Sequence, residues 1–168
     1  LKTILVASTH DYLLCFTNLG RVYWLKVYKI PTAGRLSRGK AVVNLLPLKE
    51  GEIPTTFLKV REFSEDKSIL MVTGKGTVKK TSLIEFSRPR STGIIALNLE
   101  EGDYLKEAKL VSEEDEIILV SKSGRAIKFV SGEVRNMGRN AQGVKGMSLA
   151  KDDAIAGVVI VREGESLF

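Results

Sequence analysis

One pattern of about fifty residues occurs three times along this chain, and a unit of that size buries its apolar face only by packing on neighbouring units. The copies are clearest at Tyr12 to Pro31, Ser68 to Phe86 and Glu116 to Val134. In each, a short apolar run passes through a small polar turn to a glycine (Gly20, Gly76, Gly124), and a second β-rich run follows, which is the signature of a hairpin. Downstream come an Arg-bearing loop, a second glycine (Gly39, Gly93, Gly143), an apolar run and an acidic closing turn before Ile53, Tyr104 and Ala154. The first glycines are 56 and then 48 residues apart, so loop length varies around one shared unit. This divides the chain into repeats of about 1–52, 53–103 and 104–153, with a stub, 154–168, that reads as the opening of a fourth.

Val, Ile, Thr, Tyr and Phe dominate short runs bounded by Gly, Asn, Asp and Ser, so the expected class is all-β, with at most a helical turn at Ser82–Phe86 and Gly132–Met137. The chain reads as a fragment of a longer array, with strand edges expected to be unpaired near Leu1–Ala7 and Ile155–Val161. No apolar run approaches the roughly 20 residues of a membrane-spanning helix, and no basic-then-apolar leader is visible. The single Cys15, between Leu14 and Phe16, is expected to pack as a small hydrophobe in a protein of the cytoplasm.

The formal charge of +6 is modest, but its distribution is uneven. Thr17–Leu45 holds six Lys or Arg residues and no acid; Gly74–Gly93 holds five bases against Glu85; Ser121–Gly146 holds six against Glu133. These windows contain 17 of the 26 bases and 2 of the 20 acids, so units stacked in register would carry a repeated basic band. A solvated face accounts for most isolated charge runs. Recurrence at three equivalent places favours a polyanion whose evenly spaced phosphates pass several units in turn. The candidate contacts are Arg21, Lys26, Arg35, Arg38 and Lys40 in the first unit, Lys79, Lys80, Arg88 and Arg90 in the second, and Lys128, Arg135, Arg139 and Lys145 in the third.

Catalytic constellations are missing from the sequence. Gly34 to Lys40 has the spacing of a phosphate-binding loop, but Ala41 stands where a Ser or Thr should hold magnesium, and the run to Pro47 reads as a strand where a helix is required. A nucleotide hydrolase is therefore disfavoured. One His and one Cys build no metal cluster, and His10, beside Asp11, fits a turn. The acidic run Glu113–Glu116 falls in a turn, where solvated charge is the ordinary expectation. Tyr23 and Trp24 alternate sides of a strand, so one is expected in the core and the other exposed; the exposed one could stack on a base, but core packing or simple coverage is the favoured reading.

Ser-Thr-His-Asp-Tyr-Leu-Leu (8–14), Phe-Thr-Asn-Leu-Gly-Arg-Val-Tyr-Trp-Leu-Lys-Val-Tyr (16–28), Val-Asn-Leu-Leu-Pro-Leu (43–48), Gly-Thr-Val-Lys-Lys-Thr (76–81) and Val-Arg-Asn-Met-Gly-Arg (134–139) closely resemble the C-terminal domain of bacterial DNA gyrase A, and the resemblance runs through essentially the whole chain. It implies a β-pinwheel, a propeller-like ring of four-stranded blades that exchange strands, of which this chain supplies about three and part of a fourth. It also implies a domain that binds and wraps double-stranded DNA on a basic outer rim without catalysis or a cofactor of its own. ATP, Mg2+ and the cleaving tyrosine belong elsewhere in an A2B2 enzyme, formed by gyrase A with gyrase B in the bacterial cytoplasm, at the nucleoid. The family's Gln-Arg-Arg-Gly-Gly-Lys-Gly box is not in the sequence. That departure leaves room for the corresponding part of topoisomerase IV, whose related blades bend DNA less; a propeller binding an acidic protein is the reading from a different class.

Overall fold

In the computed structural model, residues 5–41 and 44–162 are described. The strands in chain order are β1 (Tyr12–Thr17), β2 (Arg21–Lys26), β3 (Pro54–Val60), β4 (Ser68–Thr73), β5 (Thr77–Ser82), β6 (Ile94–Ile95), β7 (Leu105–Val111), β8 (Glu116–Ser121), β9 (Ala126–Val130), β10 (Val144–Lys145) and β11 (Ile155–Val161). Between them lie turns and loops with short 3-10 turns, among them Val27–Lys29, Leu83–Phe86 and Ser131–Glu133. The last two fall where helical turns were expected.

Each repeat contains one hairpin: β1 with β2, β4 with β5, β8 with β9. The amides of Gly20, Gly76 and Gly124 close the tips on the carbonyls of Thr17, Thr73 and Ser121, and all three glycines have φ between 76° and 95°. A three-residue loop ending in a left-handed glycine matches the right-handed twist of the strands it joins.

The hairpins are completed by strands from the following repeat. The first sheet has the order β3-β1-β2-β6 and the second β10-β5-β4-β7, all antiparallel. In the third, β11-β8-β9, the outer edge of β9 has no partner among the described residues. Ile155–Val161 is an edge strand, as expected from the sequence: it ends the order of the third sheet, and its outer side has no partner among the described residues. Its inner side pairs with β8, because the opening strand of each repeat closes the hairpin before it. The stub adds a strand to the third sheet and builds no further blade among the described residues. Of Leu1–Ala7, residues 1–4 lie outside the described residues, and 5–7 form no strand.

The sheets stack face to face through apolar side chains. Leu14, Phe16, Ile69 and Met71 pack between the first and second, and Leu70, Val72, Ile117 and Leu119 between the second and third. β4 is buried at every position because its alternate residues feed both layers. Cys15, Tyr23, Leu25 and Leu46 cover the far face of the first sheet, where burial pushes the Cys15 thiol up to about 12.

The acidic closing turns are part of this framework. Glu52 is buried and accepts from Thr17 Oγ1 (2.6 Å), Tyr23 OH (2.5 Å) and the Lys49 amide (2.8 Å). Burial would raise its pKa, and these hydrogen bonds outweigh burial and hold it below the usual value. Asp103 accepts from the Lys75 amide, and Asp153 from the amide and hydroxyl of Ser123. Each acid is thus tied to its own hairpin, Asp103 and Asp153 at the tip and Glu52 at side chains of β1 and β2.

The fold makes two expectations testable. A Cβ on Gly76 would stand 2.5 Å from the Met147 carbonyl oxygen, whereas one on Gly124 would meet nothing within 4 Å, although both have positive φ. In urea unfolding, Gly124→Ala should cost only the left-handed strain of about 1–3 kcal/mol, and Gly76→Ala distinctly more. The Ser123 hydroxyl, then backbone amides, hold Asp153 at about 2 against an ordinary 3.8. Its stabilising contribution is complete above pH 3.8 and is lost as the pH falls through 2. Asp153→Asn should flatten that part of an acid-unfolding profile followed by circular dichroism.

Candidate nucleic-acid interface

The candidate bases occupy four kinds of environment. Arg35, Arg38 and Lys40 lie on the loop 31–41, which is exposed along its whole length and makes a turn in which the Ser37 amide donates to Gly34 O at 2.9 Å. No helix follows Gly39 among the described residues, so the phosphate-loop spacing stays without the helix that would give it meaning.

The second environment is a pair of adjoining clefts. One, of about 260 Å³, is lined by Tyr12, Trp24, Lys26, Lys29 and Arg90 among others. The Lys26 ammonium sits 5.6 Å from the ring centres of both Tyr12 and Tyr28, and Tyr12, then Tyr28, hold its pKa above the usual lysine value. The other cleft, of about 340 Å³, is walled by Ile84, Glu85, Ser87, Arg88, Arg90 and Arg139. Arg90 belongs to both. The result is a continuous basic track from Lys26 and Lys29 of the first repeat, past Arg90 and Arg88 of the second, to Arg139 of the third. Sequence reasoning left Lys29 out of the candidate contacts, although it stood in the acid-free window. Glu85 is the acid on the track, 4.0 Å from Arg139 Nε, and both side chains are partly exposed. Such a pair is worth little in water and yields readily to a phosphate.

Lys128, Arg135 and Lys145 share a third cleft, of about 420 Å³, along the open edge of β9, with Phe129 and Met137 as its apolar lining. Lys128 Nζ lies 3.4 Å from Glu116 on the neighbouring strand, another exposed pair.

Three candidates are corrected by their surroundings. Lys79 and Lys80 are 0% and 1% exposed, so neither reaches a phosphate in this structure. Opposite the well-buried β4 both faces of β5 are covered: Lys79 Nζ donates to Ala96 O (2.7 Å) and Arg139 O (2.5 Å), and Lys80 Nζ to Ser131 O (2.9 Å) and Glu113 Oε1 (3.0 Å). Arg21 is largely engaged as well, donating to Thr92 O at 2.9 Å and to Tyr23 OH at 3.3 Å, with Glu52 at 3.9 Å. Lysine in a strand between two sheets reads from sequence as a surface residue, and only the two-sided stacking shows otherwise. Neither aromatic of β2 is free to stack on a base. Tyr23 is buried, and Trp24 faces the second sheet and donates its indole N–H to Phe86 O at 2.9 Å. His10 lies in a turn, its amide donating to Ser8 Oγ at 3.3 Å. No group of three metal-ligating side chains occurs among the described residues.

Strand-exchanged antiparallel sheets in a row make this chain a β-propeller array of the pinwheel kind. A sequence profile for "DNA gyrase C-terminal domain, beta-propeller" matches residues 11–53, 67–112 and 115–162, and the chain belongs to that family. It is 52% identical over 159 residues to the DNA gyrase A protein of Salmonella typhimurium and 46% identical over 159 residues to that of Escherichia coli, covering 95% of this chain and 18% of each relative. The chain thus spans under a fifth of the length of these relatives. Among solved structures, the C-terminal domain of a DNA topoisomerase IV superposes with a TM-score of 0.83 at 30% identity, over 92% of this chain and 48% of that one. A DNA gyrase A C-terminal domain gives 0.78 at 29% identity, over 94% of this chain and 50% of that one.

Burial lowers the pKa of Lys79 to about 8 from 10.5, partly opposed by Glu85 and assisted by Arg139. Between those values the unfolded chain binds the proton more tightly, so the contribution of this residue to stability is greatest above pH 10.5 and falls as the pH drops through 8. Urea unfolding across that range should show stability rising with pH, and Lys79→Met should remove the rise.

Proposed function

We propose that the chain binds double-stranded DNA independently of sequence, through its phosphates, and bends or wraps it. The observation that carries this reading is the continuous track from Lys26 and Lys29 through Arg90 and Arg88 to Arg139, built from three successive repeats. Phosphate contacts position a duplex without reading bases, and a track that steps from unit to unit suits a backbone that curves. Bending 20–30 base pairs by 40–90° costs on the order of 1–6 kcal/mol, which single contacts do not offset and several blades together do. In the whole protein this would be the non-catalytic C-terminal part of gyrase A. It would act with gyrase B in an A2B2 enzyme of the bacterial cytoplasm, where ATP and Mg2+ serve other domains and the wrap gives strand passage its negative sense. The exposed loop bearing Arg35, Arg38 and Lys40 and the β9 cleft bearing Lys128, Arg135 and Lys145 would extend the track. The C-terminal domain of a topoisomerase IV is the neighbouring reading, supported by the TM-score of 0.83; the identities of 46% and 52% to gyrase A proteins favour gyrase.

Titration of a duplex of roughly 30 base pairs by fluorescence anisotropy across a salt series tests this. About five phosphate contacts give a log-log slope near −4.5, and replacing Arg88, Arg90 and Arg139 together by Ala should reduce its magnitude by about 2.7. A slope near zero in the unaltered protein would overturn the reading in favour of a protein partner for the basic track.

A further inference from the structure

Lys79 and Lys80 are consecutive buried cations on one strand, and the equivalent positions of β2, three and four residues after the hairpin glycine, are Tyr23 and Trp24. Aromatic side chains therefore fill the same register in the first sheet, so a lysine is not what the stacking itself demands. A buried ammonium is retained at a desolvation cost of several kcal/mol unless its donors are satisfied, which makes its partners informative. Those of Lys79 are the carbonyls of Ala96, just after β6, and Arg139, on the turn closed by the Ala141 amide on Gly138 O. The side chain of Arg139 projects from that turn into the cleft of Arg88 and Arg90. Three guanidinium groups around one cleft repel each other, and the single carboxylate there, Glu85, stands 4.0 Å from Arg139 Nε. Without an anchor on its backbone, the turn would relieve the repulsion by swinging Arg139 away. The Met137 amide on Lys80 O (2.7 Å) and Asn98 Nδ2 on Asn140 O flank the anchor, and Lys79 holds the carbonyl of Arg139 itself.

We propose that Lys79 is a positioning residue for the phosphate track: its ammonium, bridging the carbonyls of Ala96 and Arg139, fixes the turn that aims Arg139 at the same phosphate as Arg88 and Arg90. This deepens the DNA-binding reading and rests on it. Lys79 never touches the duplex. It converts the packing of the second blade into the placement of a charge belonging to the third.

A double-mutant cycle in the full-length protein tests this, using duplex affinity at low salt. Arg139→Ala and Lys79→Met should each weaken binding by roughly 10- to 100-fold, the worth of one charged hydrogen bond, and the double variant should be no weaker than either alone. The cycle of Lys79→Met with Arg35→Ala, on a loop Lys79 does not touch, should be multiplicative. That contrast separates positioning of Arg139 from general loosening of the fold, which would couple to neither change or to both. Should Lys79→Met not fold, Lys79→Gln, which keeps a shorter donor, takes its place in both cycles. Multiplicative effects of Lys79 and Arg139 in a protein that retains its salt-dependent binding would overturn the positioning role alone. Absence of salt-dependent binding in the unaltered protein would overturn the DNA-binding reading and this inference with it.

Discussion

The arrangement depends on one carbonyl per hairpin. Gly20 O accepts from the amides of Ala96 and Leu97 at 2.8 and 3.1 Å, and Gly76 O accepts from those of Gly146 and Met147 at the same two distances. Each pair fastens the last strand of one repeat to the hairpin tip of the repeat before it. The approach is so close that a Cβ on Gly20 or Gly76 would lie 2.5 Å from a carbonyl oxygen, which is why glycine stands there for space as well as for its positive φ. Once this junction is made, the loop just upstream of the donated strand is carried across the boundary between blades, and with it Arg88, Arg90 and Arg139.

The same connectivity sorts the charges. Acids at the closing turns, Glu52, Asp103 and Asp153, accept hydrogen bonds from their own hairpins and are used within the framework. Bases on the crossing loops have few such partners and remain exposed, so positive charge collects along the line where blades meet. A weakly paired base beside a polyanion releases counterions without first breaking a strong internal contact, which is the useful state for salt-dependent binding.

Much of this was legible in the sequence because the repeat is periodic in two properties at once. Glycines at 20, 76 and 124 marked the hairpin tips, and the acid-poor windows marked the crossing loops. Strand exchange was not readable from the repeat alone, since a strand that opens one unit looks the same whether it pairs forward or back; the place of Ile155–Val161 beside β8 of the preceding repeat needed the fold. Lys79 and Lys80 escaped for a related reason. Alternation tells which face of a strand a residue occupies, but a strand sandwiched between two sheets has no outer face, and their partners, Ala96 and Ser131, come from a crossing loop and from the next repeat. Arg88, Arg90 and Arg139 stood out in the sequence as bases of the acid-poor windows, while their convergence on one cleft needed the fold.

Because each hairpin takes its added strands from the repeat that follows, the array has a polarity. A lesion in a crossing segment spares the hairpin of its own repeat and opens the sheet before it, so damage is felt upstream of where it is written. During synthesis from the N-terminus the same polarity means that each blade is left one step behind the ribosome, closing only when the next has emerged.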